Sequence, residues 1–170
     1  VRGVEVVIED GVQPQAYQLS AEQDGYFSGK VASARVGTRY RYRLGGSEQL
    51  YPDPASRFQP EGPHGPSQVM NPRSFKWTDA DWPGVTMRGQ VVYEMHIGTF
   101  TPEGTFAAAM RELQELADLG VTVIELMPVA EFPGNFGWGY DGVNLFAPAH
   151  IYGAPDDLRQ FIDRAHAVGL

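Results

Sequence analysis

The sequence predicts two folds in succession: a partial all-β sandwich over residues 1–50, and, from residue 90 on, the first two βα units of a parallel, barrel-type sheet. Three observations carry this. Short runs of alternating apolar and polar residues, separated by glycine turns, fill the first 50 positions. Two apolar runs, residues 91–97 and 121–127, are each followed by a helical pattern. The segment between the two folds, residues 51–89, holds seven of the chain's 13 prolines.

Composition sets the first limits. The chain is 42% hydrophobic and 20% charged, as expected of an ordinary globular protein with a core. Thirteen basic against 21 acidic residues leave a net charge of -8, which argues against nucleic acid or an anionic membrane as partner and leaves a neutral ligand open. With no cysteine there is neither a disulfide nor a thiolate metal site, which fits a reducing compartment. No basic-then-apolar leader opens the chain, and no apolar run approaches the roughly 20 residues of a membrane helix. A cytoplasmic protein is the expectation.

In the first 50 residues, Val4, Val6 and Ile8 alternate with Glu5, Val7 and Glu9; Tyr17 and Leu19 mark a second run, and residues 26–31 a third. The pattern is cleanest where Tyr40, Tyr42 and Leu44 alternate with Arg39, Arg41 and Arg43. Turns at Gly11, Gly25, Gly37 and Gly45-Gly46 divide the runs. Strands so spaced suggest a small sandwich whose aromatics form its core or line a glycan-binding face.

Residues 51–89 change character. Pro52, Pro54, Pro60, Pro63, Pro66, Pro72 and Pro83 rule out a regular helix or a central strand. Tyr51, Phe58, Phe75, Trp77 and Trp82 favour an ordered connector, because a solvated linker carries few such groups. The expectation is a strap packed across two domains.

From Gln90, residues 91, 93, 95 and 97 form an apolar face and a loop covers 98–104. A helix capped by Thr105 and stopped by Gly120 follows, with the stripe Phe106, Ala109, Met110, Leu113 and Leu116. A second strand closes at Pro128. The loop after it runs to some 25 residues, against about 2–6 for most βα connections, a length typical of functional loops. Pro155 then opens a second helix, with Asp156 and Asp157 in its first turn, and Gly169 ends it. A full (β/α)8 barrel takes about 250 residues and about eighty are here, so the chain is expected to be a piece of a longer one.

Few polar residues stand out. Glu94 and His96 lie on one face at the carboxyl end of the first strand, where barrel sites are built, and read equally as hydrogen-bonded groups beneath a pocket floor. Glu125 has the same two readings. His64, His150 and His166 show no metal-ligand spacing, and His166 is expected to be solvated; no metal site or cofactor is expected. The strongest chemical feature is the loop Glu131-Phe132-Pro133-Gly134-Asn135-Phe136-Gly137-Trp138-Gly139-Tyr140-Asp141. Its aromatics among glycines suit either a platform for sugar rings or a buried plug.

Three segments together resemble a known family. Val92-Tyr93-Glu94-Met95-His96-Ile97-Gly98-Thr99-Phe100, Glu125-Leu126-Met127-Pro128-Val129 and Trp138-Gly139-Tyr140-Asp141 are similar to the first two barrel strands and second loop of the α-amylase superfamily of glycosidases (glycoside hydrolase family 13). Within it, the strap from Pro52 to Ser67 resembles that of the maltooligosyltrehalose trehalohydrolase family, with branching and debranching enzymes as the alternative in the same superfamily and a non-catalytic glycan-binding module outside it. The resemblance implies an amino-terminal immunoglobulin-like sandwich (1–50), a connector (51–89) and the start of a catalytic (β/α)8 TIM barrel (90–170). It implies a hydrolase of trehalose biosynthesis that cleaves the α-1,4 bond beside the terminal trehalose of an α-glucan, by a retaining mechanism. The catalytic carboxylates would lie outside this chain, leaving it inactive alone. Tyr140 matches the aromatic that stacks on the sugar at the cleaved bond; Asp141 would support it, with Trp138 and His96 as further substrate-binding candidates.

Overall fold

Alternating residues of the first half build one antiparallel sheet. In the computed structural model, which describes residues 3–170, β1 (Val4–Ile8), β2 (Gln15–Gln18), β5 (Arg39–Leu44), β6 (Leu50–Tyr51) and β7 (Ser67–Gln68) lie in the order β2-β1-β5-β6, with β7 also on β5. The register sets Glu5 opposite Arg43, and the two side chains pair at 3.1 Å; Arg41 reaches Glu9 at 2.5 Å. Residues 26–31 do not form the expected strand. Only β4 (Phe27–Ser28) pairs, because its partner β3 (Ser20–Ala21) offers two residues. Up to Gln68 the described residues thus give one five-stranded sheet and a short ribbon, not two full facing layers.

The proline-rich segment joins the ladder of β5 only at Tyr51 and at β7, and is ordered between them by side-chain hydrogen bonds. Tyr40 donates its hydroxyl to Asp53 Oδ2 at 2.7 Å, the Asp53 amide donates to Ser67 Oγ at 2.9 Å, and Ser67 donates to Gln59 Oε1 at 2.5 Å. Gln59 and Ser67 are buried, so the bond between them satisfies groups that water cannot reach. Further on, Thr78 donates from its amide and hydroxyl to the Asp163 carboxylate, both at 2.8 Å. Trp82 stacks on His166 at 3.7 Å, and His166 Nδ1 lies 2.7 Å from Asp79 Oδ2. His166, expected in solvent, is therefore sandwiched between the segment and its own helix. Helical spacing could not reveal a partner 87 positions away.

These contacts give the sheet a pH dependence. Burial first, then the bond to Asp53, raise the Tyr40 phenol far above its ordinary range; burial and the Asp53 charge raise Tyr42. The folded state holds both phenols neutral where an unfolded chain would ionise them. The stabilisation is complete below about pH 10, the unfolded phenol value, and is lost as pH rises toward the folded values. Above about pH 10 the melting temperature of wild type is expected to fall more steeply than that of Tyr40→Phe; parallel profiles would refute this.

The second half holds a parallel pair, β8 (Val92–Met95) and β9 (Val123–Leu126), with Glu94 in register with Glu125. One face meets the helices: Met95, Ile97, Phe106, Leu113, Phe132, Tyr152 and Phe161 share a buried core. On the other face Val92, Glu94 and Glu125 are exposed. The expected loop at 98–104 begins with a helical turn, α1 (Ile97–Phe100), because the His96 carbonyl accepts from Thr99 and Phe100. The single helix expected up to Gly120 is two, α2 (Phe106–Arg111) and α3 (Leu113–Leu119), divided at Glu112, whose amide bonds Ala109 three residues back. Its ends are as expected. Thr105 Oγ1 accepts from the Ala108 amide at 3.2 Å, and Gly120, at φ 99°, allows the Val121 amide to reach Leu116 O.

Inside the long loop a hairpin appears that alternation did not reveal, β10 (Ala130–Glu131) against β11 (Asn144–Pro148). The helix α4 (Pro155–Ala167) follows; Asp157 accepts from the Ala154 amide at 2.8 Å and Leu170 donates to Ala165 O to close its end. Among the described residues no helix is long and apolar enough to cross a membrane.

Candidate functional site

The candidate site lies where β8 ends and the β10–β11 hairpin projects. His96 follows β8 directly. Its Nε2 lies 2.8 Å from the carbonyl oxygen of Gly137, and because a carbonyl only accepts, Nε2 carries the proton. In the neutral ring Nδ1 then accepts from Thr99 Oγ1 at 3.4 Å. The Tyr152 hydroxyl is 3.3 Å from the same Nε2, and burial raises its phenol pKa. Strand end and loop are thereby fastened together through one imidazole.

The loop alternates. Phe136, Trp138 and Tyr140 point outward, with 96%, 75% and 68% of their surface exposed. Gly137 and Gly139 point inward. A Cβ on Gly137 would sit 3.2 Å from Phe132 Cε2; one on Gly139, at φ 89°, would lie 1.8 Å from the carbonyl oxygen of Pro128. At Gly139 only backbone without a side chain can come this close, whereas at Gly137 the Phe132 ring would have to give by a few tenths of an ångström. Within the described chain the three rings are exposed, while Phe132 of the same loop is buried.

The hairpin base is set by Glu131. Fully buried, its carboxylate accepts from the His150 amide at 2.8 Å and from His150 Nδ1 at 3.0 Å, while its carbonyl accepts from Val143. A buried carboxylate so occupied is a structural brace. Asn144 Nδ2 donates to Asp53 O at 3.3 Å, linking the hairpin to the proline-rich segment.

A cavity of about 830 Å³ opens beside this row. Its lining includes Phe136, Trp138, His96, Thr99, Glu103 and Tyr152. Glu103 is held by Arg111 at 2.6 Å. Of the four candidates, His96 and Trp138 border the cavity; Tyr140 and Asp141 are exposed farther along the loop and do not line it. Phe136 and Tyr152 also border it, and sequence reasoning had not singled them out as site residues. The alternation of glycine with aromatic residues from 136 to 140 was the available signal for Phe136; for Tyr152 there was none. Neither Glu94 nor Glu125 lines the cavity, and among the described residues no three His, Asp or Glu side chains gather to hold a metal.

No family model matches the chain. The malto-oligosyltrehalose trehalohydrolase of Saccharolobus solfataricus is 47% identical over 154 residues, 91% of this chain and 27% of that one. That of Deinococcus radiodurans is 50% identical over 134 residues, 79% of this chain and 22% of its own length. The chain is related to the malto-oligosyltrehalose trehalohydrolases. It spans about a quarter of these trehalohydrolases' length. A 1,4-alpha-glucan branching enzyme from Xanthomonas oryzae is 34% identical over 163 residues, 87% of this chain and 22% of its own. Among solved structures, a Salmonella typhimurium protein provisionally named an alpha amylase superposes with a TM-score of 0.93 at 48% identity, covering 99% of this chain and 28% of that one. A type I pullulanase from Bacillus subtilis, solved with maltose, shares the fold at a TM-score of 0.77 and 20% identity, over 99% of this chain and 29% of its own. Over the residues compared, the chain has the fold of these two proteins.

Proposed function

We propose that this chain is the amino-terminal part of a malto-oligosyltrehalose trehalohydrolase, a retaining glycosidase that releases trehalose from maltooligosyltrehalose. The observation that carries the reading is the exposed row Phe136, Trp138 and Tyr140 beside the cavity at the end of β8, in a chain 47–50% identical to two such enzymes. Flat rings with glycine backbone between them match the C–H faces of pyranose units. In this reading residues 1–50 belong to an immunoglobulin-like sandwich, 51–89 connect, and 90–170 begin a (β/α)8 barrel. Tyr140 stacks on the sugar at the cleaved bond, Asp141 supports that subsite, and Trp138 and His96 border it.

The two carboxylates of a retaining mechanism, about 5–5.5 Å apart, come from the remainder of the enzyme. In support, Glu131 is buried as a brace, neither Glu94 nor Glu125 lines the cavity, and Glu103, which does line it, is paired with Arg111.

The whole protein, given maltooligosyltrehalose, is expected to release trehalose and to leave linear maltooligosaccharides largely uncut. Transfer to a branch point instead, with no free trehalose, would establish the second reading, a branching enzyme, which the 34% identity over most of the chain supports. Tyr140→Ala is expected to lower kcat/KM about 10-fold, the worth of one stacked ring; an unchanged value would remove its role.

A further inference from the structure

We infer that the proline-rich strap is a positioning element of the substrate site: Asp53 and Gly62 seat the stem of the aromatic loop, through Asn144 and His150, and so fix where Tyr140 stands. This rests on the role proposed for Tyr140 and extends it to residues that precede the parallel pair.

Tyr140 stands between two anchors. On one side the Gly139 backbone lies against the carbonyl of Pro128, just after β9. On the other, a Cβ on Gly142 would lie 3.1 Å from Ala130 Cβ, and Asn144 enters the hairpin opposite Glu131. The first anchor belongs to the parallel pair. The second leans on the strap, because Asn144, only 2% exposed, donates through Nδ2 to the carbonyl of Asp53, 91 positions earlier.

Asp53 is a junction. Its carboxylate accepts from the Tyr40 hydroxyl of β5 and from the Ala55 amide, its amide donates to Ser67 Oγ, and its carbonyl takes the Ser56 amide at 3.0 Å as well as Asn144. Every polar group of the residue is engaged, and a carbonyl held in such a network is a fixed point for the loop.

A second contact lies at Gly62, where an added Cβ would sit 3.4 Å from His150 Cε1. Buried Gln59 holds that turn by donating Nε2 to the carbonyls of Gly62 and Gly65. His150 in turn gives its amide and ring Nδ1 to the Glu131 carboxylate. Both strands of the stem therefore reach the strap, one directly at Asn144 and one through His150. Neither Asp53 nor Asn144 lines the cavity, so these residues act on the loop and not on the sugar.

A strap that only held the fold together would lower stability and leave the contribution of the ring intact. One that positions the loop acts through Tyr140, and the two losses would then not multiply.

The test is a double-mutant cycle in the whole enzyme, with kcat/KM for trehalose release read well below each variant's melting temperature. Asn144→Ala is expected to lower it about 5-fold, less than the worth of the ring, and by less than about 2-fold in a Tyr140→Ala background. Asp53→Ala, outside the loop altogether, is expected to behave in the same way. Asp53→Asn keeps an acceptor for Ala55 and a partner for the Tyr40 hydroxyl, which can accept as well as donate, and is expected to stay within about 2-fold of wild type. Losses that multiply fully with that of Tyr140→Ala would overturn the inference. So would an unchanged kcat/KM in both alanine variants, and the proposed function would then still stand on the trehalose that wild type releases. If an alanine variant fails to fold, Tyr40→Phe, which deletes one hydroxyl from the network, takes its place in the cycle: a loss of about 3-fold that vanishes beside Tyr140→Ala is expected, and no loss or a fully multiplied one overturns the inference. If wild type releases no trehalose, the function falls. Amide exchange then decides the strap: protection at Val143, which bonds Glu131 in the stem, should drop in Asn144→Ala, and unchanged protection would overturn the inference.

Discussion

Gly139→Ala is expected to displace the aromatic row and to lower kcat/KM for trehalose release about 100-fold, more than loss of the Tyr140 ring itself. Two penalties act at once. At φ 89° the backbone occupies a region that a residue with a Cβ enters at a cost of about 1–3 kcal/mol. The added methyl would also meet Pro128 O at 1.8 Å and the Pro128 carbonyl carbon at 2.8 Å. Those atoms are backbone at the end of β9, and no rotamer moves them aside. The loop must shift instead, carrying Trp138 and Tyr140 with it, and a misplacement of about 1 Å in a binding group costs about 10²-fold. Steady-state kinetics of the whole enzyme checks this. A kcat/KM within about 3-fold of wild type would show that the loop tolerates the change.

Glu131→Ala is expected to destabilise this half of the chain by about 3–5 kcal/mol. The carboxylate is fully buried and satisfies both the amide and the ring Nδ1 of His150; without it, two donors are left facing a hole. The loss falls locally, on the hairpin that carries the aromatic loop. Amide hydrogen exchange is therefore the sharper measurement: protection at His150 and Val143, which bond the Glu131 side chain and carbonyl, should drop in the variant. Glu131→Gln keeps one acceptor and should lose less. Protection equal to wild type in Glu131→Ala would refute the brace.

What was legible beforehand was whatever repeats locally. Alternation located β1 and β5, although it did not show that both faces are covered, with Val7 and Ile8 of β1 both buried and residues 40–44 of β5 all half-buried; Thr105 and Gly120 marked helix ends because capping is settled within four or five residues. The site's composition was legible for the same reason, since the aromatics and glycines stand side by side. Their orientation was not. Whether the rings point out depends on Pro128, Phe132 and His96, the last 41 residues before Gly137. The Glu131–His150 brace, the stacking of Trp82 on His166 and the Asp53–Ser67 bond likewise join residues with no shared periodicity. The expected single helix failed at Glu112 because nothing in its apolar stripe distinguishes an i to i-3 bond from an i to i-4 bond.

The alternation in the loop divides its positions into two kinds of tolerance. Residue 139 is locked by the backbone beneath it and 137 is closely packed, whereas 136, 138 and 140 are exposed in the described chain. The loop thus separates the positions that hold its course from those that it presents, so side chains at the three outward positions can be exchanged while the fold beneath them stays the same.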